Sequence, residues 1–306
     1  MARVLAFFAA VIFLSSAVLA QNNEASSTQK GEGLKSEQMQ TGSENYGTIS
    51  QKGKEFEAYQ TQTGASNEAY IEQLSDKKTD KLNYASQAQL GEDNYADIFQ
   101  KGKKNEAYQS QEGVDNKAYN EQTGEAYGYQ EQLGEHNYAK ISDAKQNRAF
   151  QYQEGDYNTA TVADHGKNSE AYQTQNGNNN VAEISGFTAK TFSFKPAKSG
   201  ENYAVQNQEG DYNTAKIAQG SENEAYQEQY GEDNYAEITQ NSKNYAEQDQ
   251  DGLDNYAKIC QSGKSGEAYQ YQTGEGNQAY TTQSGEGNYS SIEQNGSNNY
   301  STVNQH

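Results

Sequence analysis

One proline, Pro196, occurs in 306 residues. Proline cannot donate to a strand ladder and breaks helices, so its scarcity permits long arrays of regular backbone. Cysteine is equally scarce: Cys260 stands alone, which excludes an intrachain disulfide. It either cross-links chains or is a tolerated residue on an outer face, and no electropositive neighbour activates it. Tryptophan is absent and histidine numbers three. His136, His165 and His306 lie in no motif with a Ser or Cys nucleophile, and Cys260 has no His at a meaningful spacing. The chain reads as no enzyme, with no cofactor, no metal and no small-molecule substrate. Basic residues are in deficit, 23 against 43 acidic ones, for a net charge of −20. That balance argues against nucleic acid and anionic lipid as partners, and favours solubility before assembly.

Long apolar runs are missing too, with one exception. Val4–Leu14 is unbroken, Arg3 precedes it, and Val18-Leu19-Ala20 offers a small-residue cleavage site. Residues 1–20 therefore read as a secretory signal peptide. A membrane anchor fits less well, because the run is too short to span a bilayer and no stop-transfer charge follows. Cleavage would remove Arg3 alone among charged residues, taking −20 to −21. The rest has few aliphatics and a mean hydropathy of −1.17, the compositional signature of disorder.

A repeat contradicts that signature. From Gln40 to Gln305 the chain reads Gln-x-Gly-x-x-Asn-x-Ala-x-x-x-Gln, and each closing Gln opens the next copy, giving a period of 11. Clear copies place Gln89, Gly91, Asn94, Ala96, Ile98 and Gln100 in one unit, and Gly102, Asn105, Ala107, Gln109 and Gln111 in the next. Gln250, Gly252, Asn255, Ala257, Ile259 and Gln261 form a later one. Self-similarity at a fixed period predicts a stacked architecture. These residues are the expected structural ladder.

Asn94, Ala96, Ile98 and Gln100 fall at every second position, so a strand points them all to one face. Between strands lies x-Gly-x-x, and Gly tolerates the positive φ of a tight reversal. The position of Ile98 alternates along the chain: Ile49, Gln60, Ile71, Gln87, Ile98, Gln109, and later Ile217, Gln227, Ile238, Gln248, Ile259, Gln270. The true period is thus 22. The predicted fold is all-β, a β-solenoid with two strands per coil, stacked into two facing parallel sheets in a cross-β arrangement. It occupies residues 29–306, with a turn insertion near 74–81 and a loop at 186–199, where a poorer strand is the alternative. Counting 23 regular strands from Asn45 and a degenerate one at Leu34–Gln40 gives about 12 coils. At roughly 4.8 Å per coil the stack is about 58 Å long.

Buried Asn and Gln are costly unless hydrogen-bonded, and stacking lets each amide bond its counterpart one coil away. Ile98→Asp is expected to cost several kcal/mol by burying an unpaired charge. Leu34 and Gln40 at one end, and Asn299, Val303 and Gln305 at the other, are the expected assembly ends. Without capping elements, such ends template pairing with another copy. Gly91–Asn94 and Gly231–Asn234 form acidic turns that read as solvated charge rows, with weak Ca²⁺ binding as the alternative. Tyr follows Asn in many Ile strands (Tyr46, Tyr95, Tyr138, Tyr235, Tyr256) and follows Ala in many Gln strands (Tyr59, Tyr108, Tyr172, Tyr226, Tyr269). These rows either suit exposed pleats or mediate bundling and adhesion.

The repeat resembles the curlin repeat of secreted bacterial curli subunits, over nearly all of the chain after residue 20. Phe56, Ser169 and Gly266 depart from its Asn, and Asp143 and Asp164 from its Gln. The resemblance implies export through an outer-membrane secretion pore and assembly on the cell surface. It implies a homopolymeric amyloid fibre that builds biofilm matrix, with a nucleator subunit as partner. By position, residues 21–28 match the family's segment that addresses the chain to the pore. A major fibre subunit is the expected role. A minor nucleating subunit and a monomeric surface-binding adhesin are the alternatives.

Overall fold

The structure is a computed structural model that describes residues 22–75, 82–143, 146–164, 168–186 and 201–306. Alternating inward and outward residues between glycine turns yield strands throughout. The first are β1 (Glu24–Glu32), β2 (Lys35–Ser43), β3 (Tyr46–Lys54), β4 (Glu57–Ala65), β5 (Glu68–Leu74), β6 (Tyr84–Glu92), β7 (Tyr95–Lys101) and β8 (Glu106–Val114). Then follow β9 (Lys117–Thr123), β10 (Tyr127–Glu135), β11 (Tyr138–Asp143), β12 (Arg148–Glu154), β13 (Thr159–Asp164), β14 (Glu170–Asn176), β15 (Val181–Gly186) and β16 (Tyr203–Glu209). The last are β17 (Thr214–Ser221), β18 (Glu224–Glu232), β19 (Tyr235–Ser242), β20 (Tyr245–Leu253), β21 (Tyr256–Lys264), β22 (Glu267–Glu275), β23 (Gln278–Gln283), β24 (Tyr289–Ser297) and β25 (Tyr300–Gln305).

Odd-numbered strands form one 13-stranded sheet and even-numbered strands a second of 12, each in chain order. Pairing is parallel and in motif register, as in Ile71↔Ile98 and Gln87↔Gln109. The expected β-solenoid of two strands per coil is therefore the fold.

The ladder starts earlier than expected. β1 covers Glu24–Glu32 and pairs with β3, overlapping the 21–28 segment assigned to targeting and preceding the degenerate unit at Leu34–Gln40. Asn23, Ala25, Gln29 and Gly31 do repeat Asn45, Gly47, Gln51 and Gly53 at a spacing of 22, but Ser27 in the Ile position hid the unit. Residues 1–20, most of the insertion at 74–81 and most of the loop at 186–199 lie outside the described residues. The ladder is continuous across 187–200: β14 pairs with β16 and β15 with β17, aligning Gln173 with Gln206 and Ile184 with Ile217.

The two sheets present complementary inner faces. Isoleucines of the first sheet cluster with alanines of the second: Ile49, Ala58, Ile71, Ala85, Ile98 and Ala107 form one continuous group. Large residues thus meet small ones across a thin core. A second cluster runs from Ile141 to Ala268. Asn120 separates the two. It takes the Ile position between Ile98 and Ile141, is buried, and has no hydrogen-bond partner for either side-chain polar atom. Its amide lies where a Cβ on Gly128 would fall, so it fills the space of that missing methyl. A buried unpaired amide costs about 1–3 kcal/mol, and Asn120→Val should return about that much in a denaturant titration.

Candidate assembly interface

Each interior Gln spends its amide twice. Gln89 Nε2 donates to Gln111 Oε1 at 2.9 Å and to the Glu68 carbonyl of the opposite sheet at 2.9 Å. Gln111 repeats this toward Gln132 Oε1 and the Tyr95 carbonyl. The column runs unbroken from Gln40 to Gln294. A neighbouring column passes through Gln109, which donates to Gln130 Oε1. In the first sheet Gln100 donates to Gln122, and Gln261 to Gln283. Gln250 donates to Gln272 at 2.8 Å. In all of these the donor lies in the earlier coil, so the columns are polar. Chains of aligned amides polarise one another, which makes the ladder cooperative along its axis.

The asparagine column runs the other way. Asn94 Nδ2 donates to Asn67 Oδ1 of the preceding coil at 3.0 Å and to the Gly113 carbonyl at 2.9 Å. Asn255 bonds Asn234 and the Gly274 carbonyl in the same manner, and Asn105 bonds Asn83. Ala96, Ala107, Ala257, Ile98 and Ile259 are fully buried beside these columns.

The two turns of a coil are not equivalent. Among the described residues, each of the 12 second-sheet strands has a glycine at positive φ at or just past its end, followed three residues later by Asn, from Gly42 and Asn45 to Gly296 and Asn299. Gly91 and Gly252 belong to this arc, at φ 123° and 130°. The return turns are irregular. Gly102 lies there, and Leu34, Phe56, Ala126, Ser169 and Gly266 stand in place of Asn. The stretches 76–81, 144–145, 165–167 and 187–200 also fall between a first-sheet and a second-sheet strand. Strict geometry is confined to one arc because only there does a continuous Asn column span neighbouring carbonyls.

Sequence reading missed how the tyrosines stack. In the second sheet they alternate between the first and third strand positions from coil to coil, except that Phe150 and Tyr172 both take the third and stack directly. This builds one column from Tyr59 through Tyr84, Tyr108, Tyr127, Phe150, Tyr172, Tyr203, Tyr226, Tyr245 and Tyr269 to Tyr289. Centroids lie 4.9–5.8 Å apart, within range of favourable aromatic pairing. The first sheet has two shorter columns, Tyr46 to Tyr138 and Tyr235 to Tyr300. The signal was present as a 44-residue alternation, two coils long, which a 22-residue frame averages away. Several phenols bond a carboxylate two residues away, as Tyr235 does Glu237. Burial, and then the Glu237 charge, push Tyr235 up to about 12.

Acidic residues interrupt these faces. Asp97, half-buried between Tyr70 and Tyr119 of the flanking strands, is raised above the usual carboxylate range by burial and by Glu72 and Glu121. Asp249 is raised by burial, Glu228, Asp251 and Glu247. An acid with a raised folded-state pKa destabilises the fold when ionised, so stability is gained as pH falls through that raised value. Asp97→Asn should therefore raise the melting temperature at pH 7 and change it little near pH 4. Asp115 shifts the other way: burial opposes, but hydrogen bonds from His136 (3.0 Å) and Lys117 hold its carboxyl low.

His136 also stacks on Tyr157, and His306 meets Ser284 Oγ at 2.9 Å. His165 lies outside the described residues. Cys260 is a free, half-buried thiol. Among the described residues no three His, Cys, Asp or Glu side chains are grouped to hold a metal.

The end strands keep the motif but are more exposed, and they carry substitutions such as Ser27, Ile292 and Val303 in the inward columns. β1 and β25 are the edges of the first sheet, and β2 and β24 of the second. Leu34 sits in the turn between β1 and β2, and Gln40 in β2 donates to Gln62. Asn299 closes the Asn column on Asn277, Val303 ends the Ile column beside Thr281, and Gln305 accepts from Gln283. Among the described residues nothing pairs with the outer edges of these four strands. Every column thus stops with its bonding pattern incomplete.

Residues 91–124 and 274–306 match the family model of the curlin associated repeat. No curated protein matches the chain.

Proposed function

This chain is a curlin-repeat protein, and from that premise we propose that it is a structural subunit of an extracellular, curli-type amyloid fibre. Subunits add head-to-tail through their end coils, in a heterologous contact that does not close and so extends indefinitely. The observation that carries this reading is the incompleteness of every ladder at both ends: polar Gln and Asn columns stop at exposed parallel edges that match each other in chemistry. Such edges template strand addition. The curlin repeat is a structural repeat, and the chain acts as scaffold and not as catalyst. The signal peptide at residues 1–20 exports it, and residues 21–28 address it to a secretion pore. A nucleator subunit starts the fibre, which contributes to biofilm matrix and adhesion.

The test is incubation of purified protein with thioflavin T. Fibres that grow after a lag, and at once when seeded, are the expected result. A stable monomer in sizing chromatography at high concentration would overturn the reading in favour of a surface-binding solenoid. Deleting the gene should abolish surface fibres. A second subunit left soluble and unpolymerised outside the deleted cells, which forms fibres once seeds are added, would identify the minor nucleating subunit instead.

A further inference from the structure

The two sheets do not hold equal numbers of strands. Among the described residues the first has 13 and the second 12, so β1 is one strand more than whole coils require. Stacking two intact copies would bring β25 against β1 of the next in the first sheet. The coil containing β25 would then have no second-sheet partner, and one side of the core would stay open at every joint. Resting on the head-to-tail reading, we infer that β1 is a displaceable cap and that β25 of one copy replaces it on β3 of the next. With β1 released, β2 of the next copy completes the coil of β25, and both sheets run on without a gap.

The residues favour the exchange. In β1, Ser27 faces Ile49, Glu24 faces Tyr46, and Lys30 lies against Lys52. Ser27 contributes no apolar contact to the Ile column. The Glu32–Lys54 ion pair at 3.0 Å lies in an exposed setting, where it is worth little. β25 carries the same motif, with Val303 and Tyr300 where β1 has Ser27 and Glu24, and Ser301 where it has Ala25. Aligned by Asn299 on Asn23 and Gln305 on Gln29, it sets Val303 against Ile49 and Tyr300 against Tyr46. The Tyr280–Tyr300 pair would join the Tyr46–Tyr70 pair into one longer column. Gln305 takes over the bond that Gln29 Nε2 gives to Gln51 Oε1, and Asn299 the one that Asn23 Oδ1 accepts from Asn45. In the second sheet Gln294 meets Gln40 and Gly296 meets Gly42, and Ile292 opposite Gln38 repeats the mismatch it already makes with Gln270.

The test locks β1 in place. Thr28 and Ser50 are aligned neighbours with outward side chains, and adjacent strands lie within disulfide reach. Thr28→Cys with Ser50→Cys, in a Cys260→Ser background, should elongate seeds at least about tenfold more slowly when oxidised and recover on reduction, because the edge is occupied. Equal growth in both redox states overturns the exchange but leaves head-to-tail assembly standing. Failure of the unmodified protein to polymerise overturns both. Amide exchange on the unmodified protein checks the same point without a variant. Residues 24–32 should be protected in the monomer and exchange freely in the fibre, while 300–305 become protected. Protection of 24–32 in both states would sink the exchange.

Discussion

Ile238→Asp should cost the folded stack more than about 4 kcal/mol, enough to prevent ordered assembly under conditions where the parent protein forms it. Ile238 is fully buried, with Ile217 and Ile259 above and below it in the column. Ala225 and Ala246 of the opposite sheet belong to the same apolar cluster. A carboxylate there would lie among Ile and Ala side chains and beside Gln amides already committed, Gln227 Nε2 to Gln248 Oε1 and Gln248 Nε2 to the Glu237 carbonyl, so its desolvation would go uncompensated. The equivalent change at Ile98 is less severe. Its neighbour on one side is Asn120, whose amide is unpaired and within the same column. A carboxylate introduced by Ile98→Asp would gain a donor that the one introduced by Ile238→Asp lacks. The measurable outcome is an ordering: the urea midpoint falls further for Ile238→Asp than for Ile98→Asp. Equal losses would show that Asn120 does not turn toward the new carboxylate.

Gly91→Ala should be nearly as damaging, at about 4 kcal/mol, although it adds a single methyl group. Gly91 has φ 123°, a region that side-chain-bearing residues avoid. The new Cβ would also overlap the carbonyl oxygen of Gly113 in the next coil. That oxygen accepts from Asn94 Nδ2, so the methyl both strains its own turn and disrupts a rung of the Asn column. Gly102→Ala, in the irregular arc, offers the control. Its nearest neighbour would be the Cα of Gly124 at 3.3 Å, and no acceptor of an Asn bond is in the way. The melting temperature should drop markedly for Gly91→Ala and clearly less for Gly102→Ala. A similar drop for both would mean that the arcs are equally strict.

The irregular arc was only partly legible in the sequence. Phe56, Ser169 and Gly266 appear as scattered departures from a motif of period 11. Folded, they fall in a single column with Leu34 and Ala126, each in a turn from the first sheet to the second. Period 11 superimposes the two arcs and hides which one tolerates change. β1 was missed for a related reason. Its Asn23, Ala25 and Gln29 are in register, but Ser27 removes the isoleucine that marks a first-sheet strand. The tyrosine columns were missed because ring contacts run diagonally between coils, so a strand-by-strand frame does not pair them.

Local pattern alone determined the strand and turn of each unit, the 22-residue coil and the pairing of like with like. Those follow from the two-residue period of side chains along a strand and from the positive φ that glycine permits. Sequence spacing also set the register, since slipping by one residue would turn every Asn, Ala, Ile and Gln outward. Only the tertiary structure decided the direction of the amide columns, because donor and acceptor on Gln are chosen by the neighbours in the stack. It also decided that 13 strands stand against 12 among the described residues, since an edge of a solenoid is defined by which strand lacks a partner and not by any residue type.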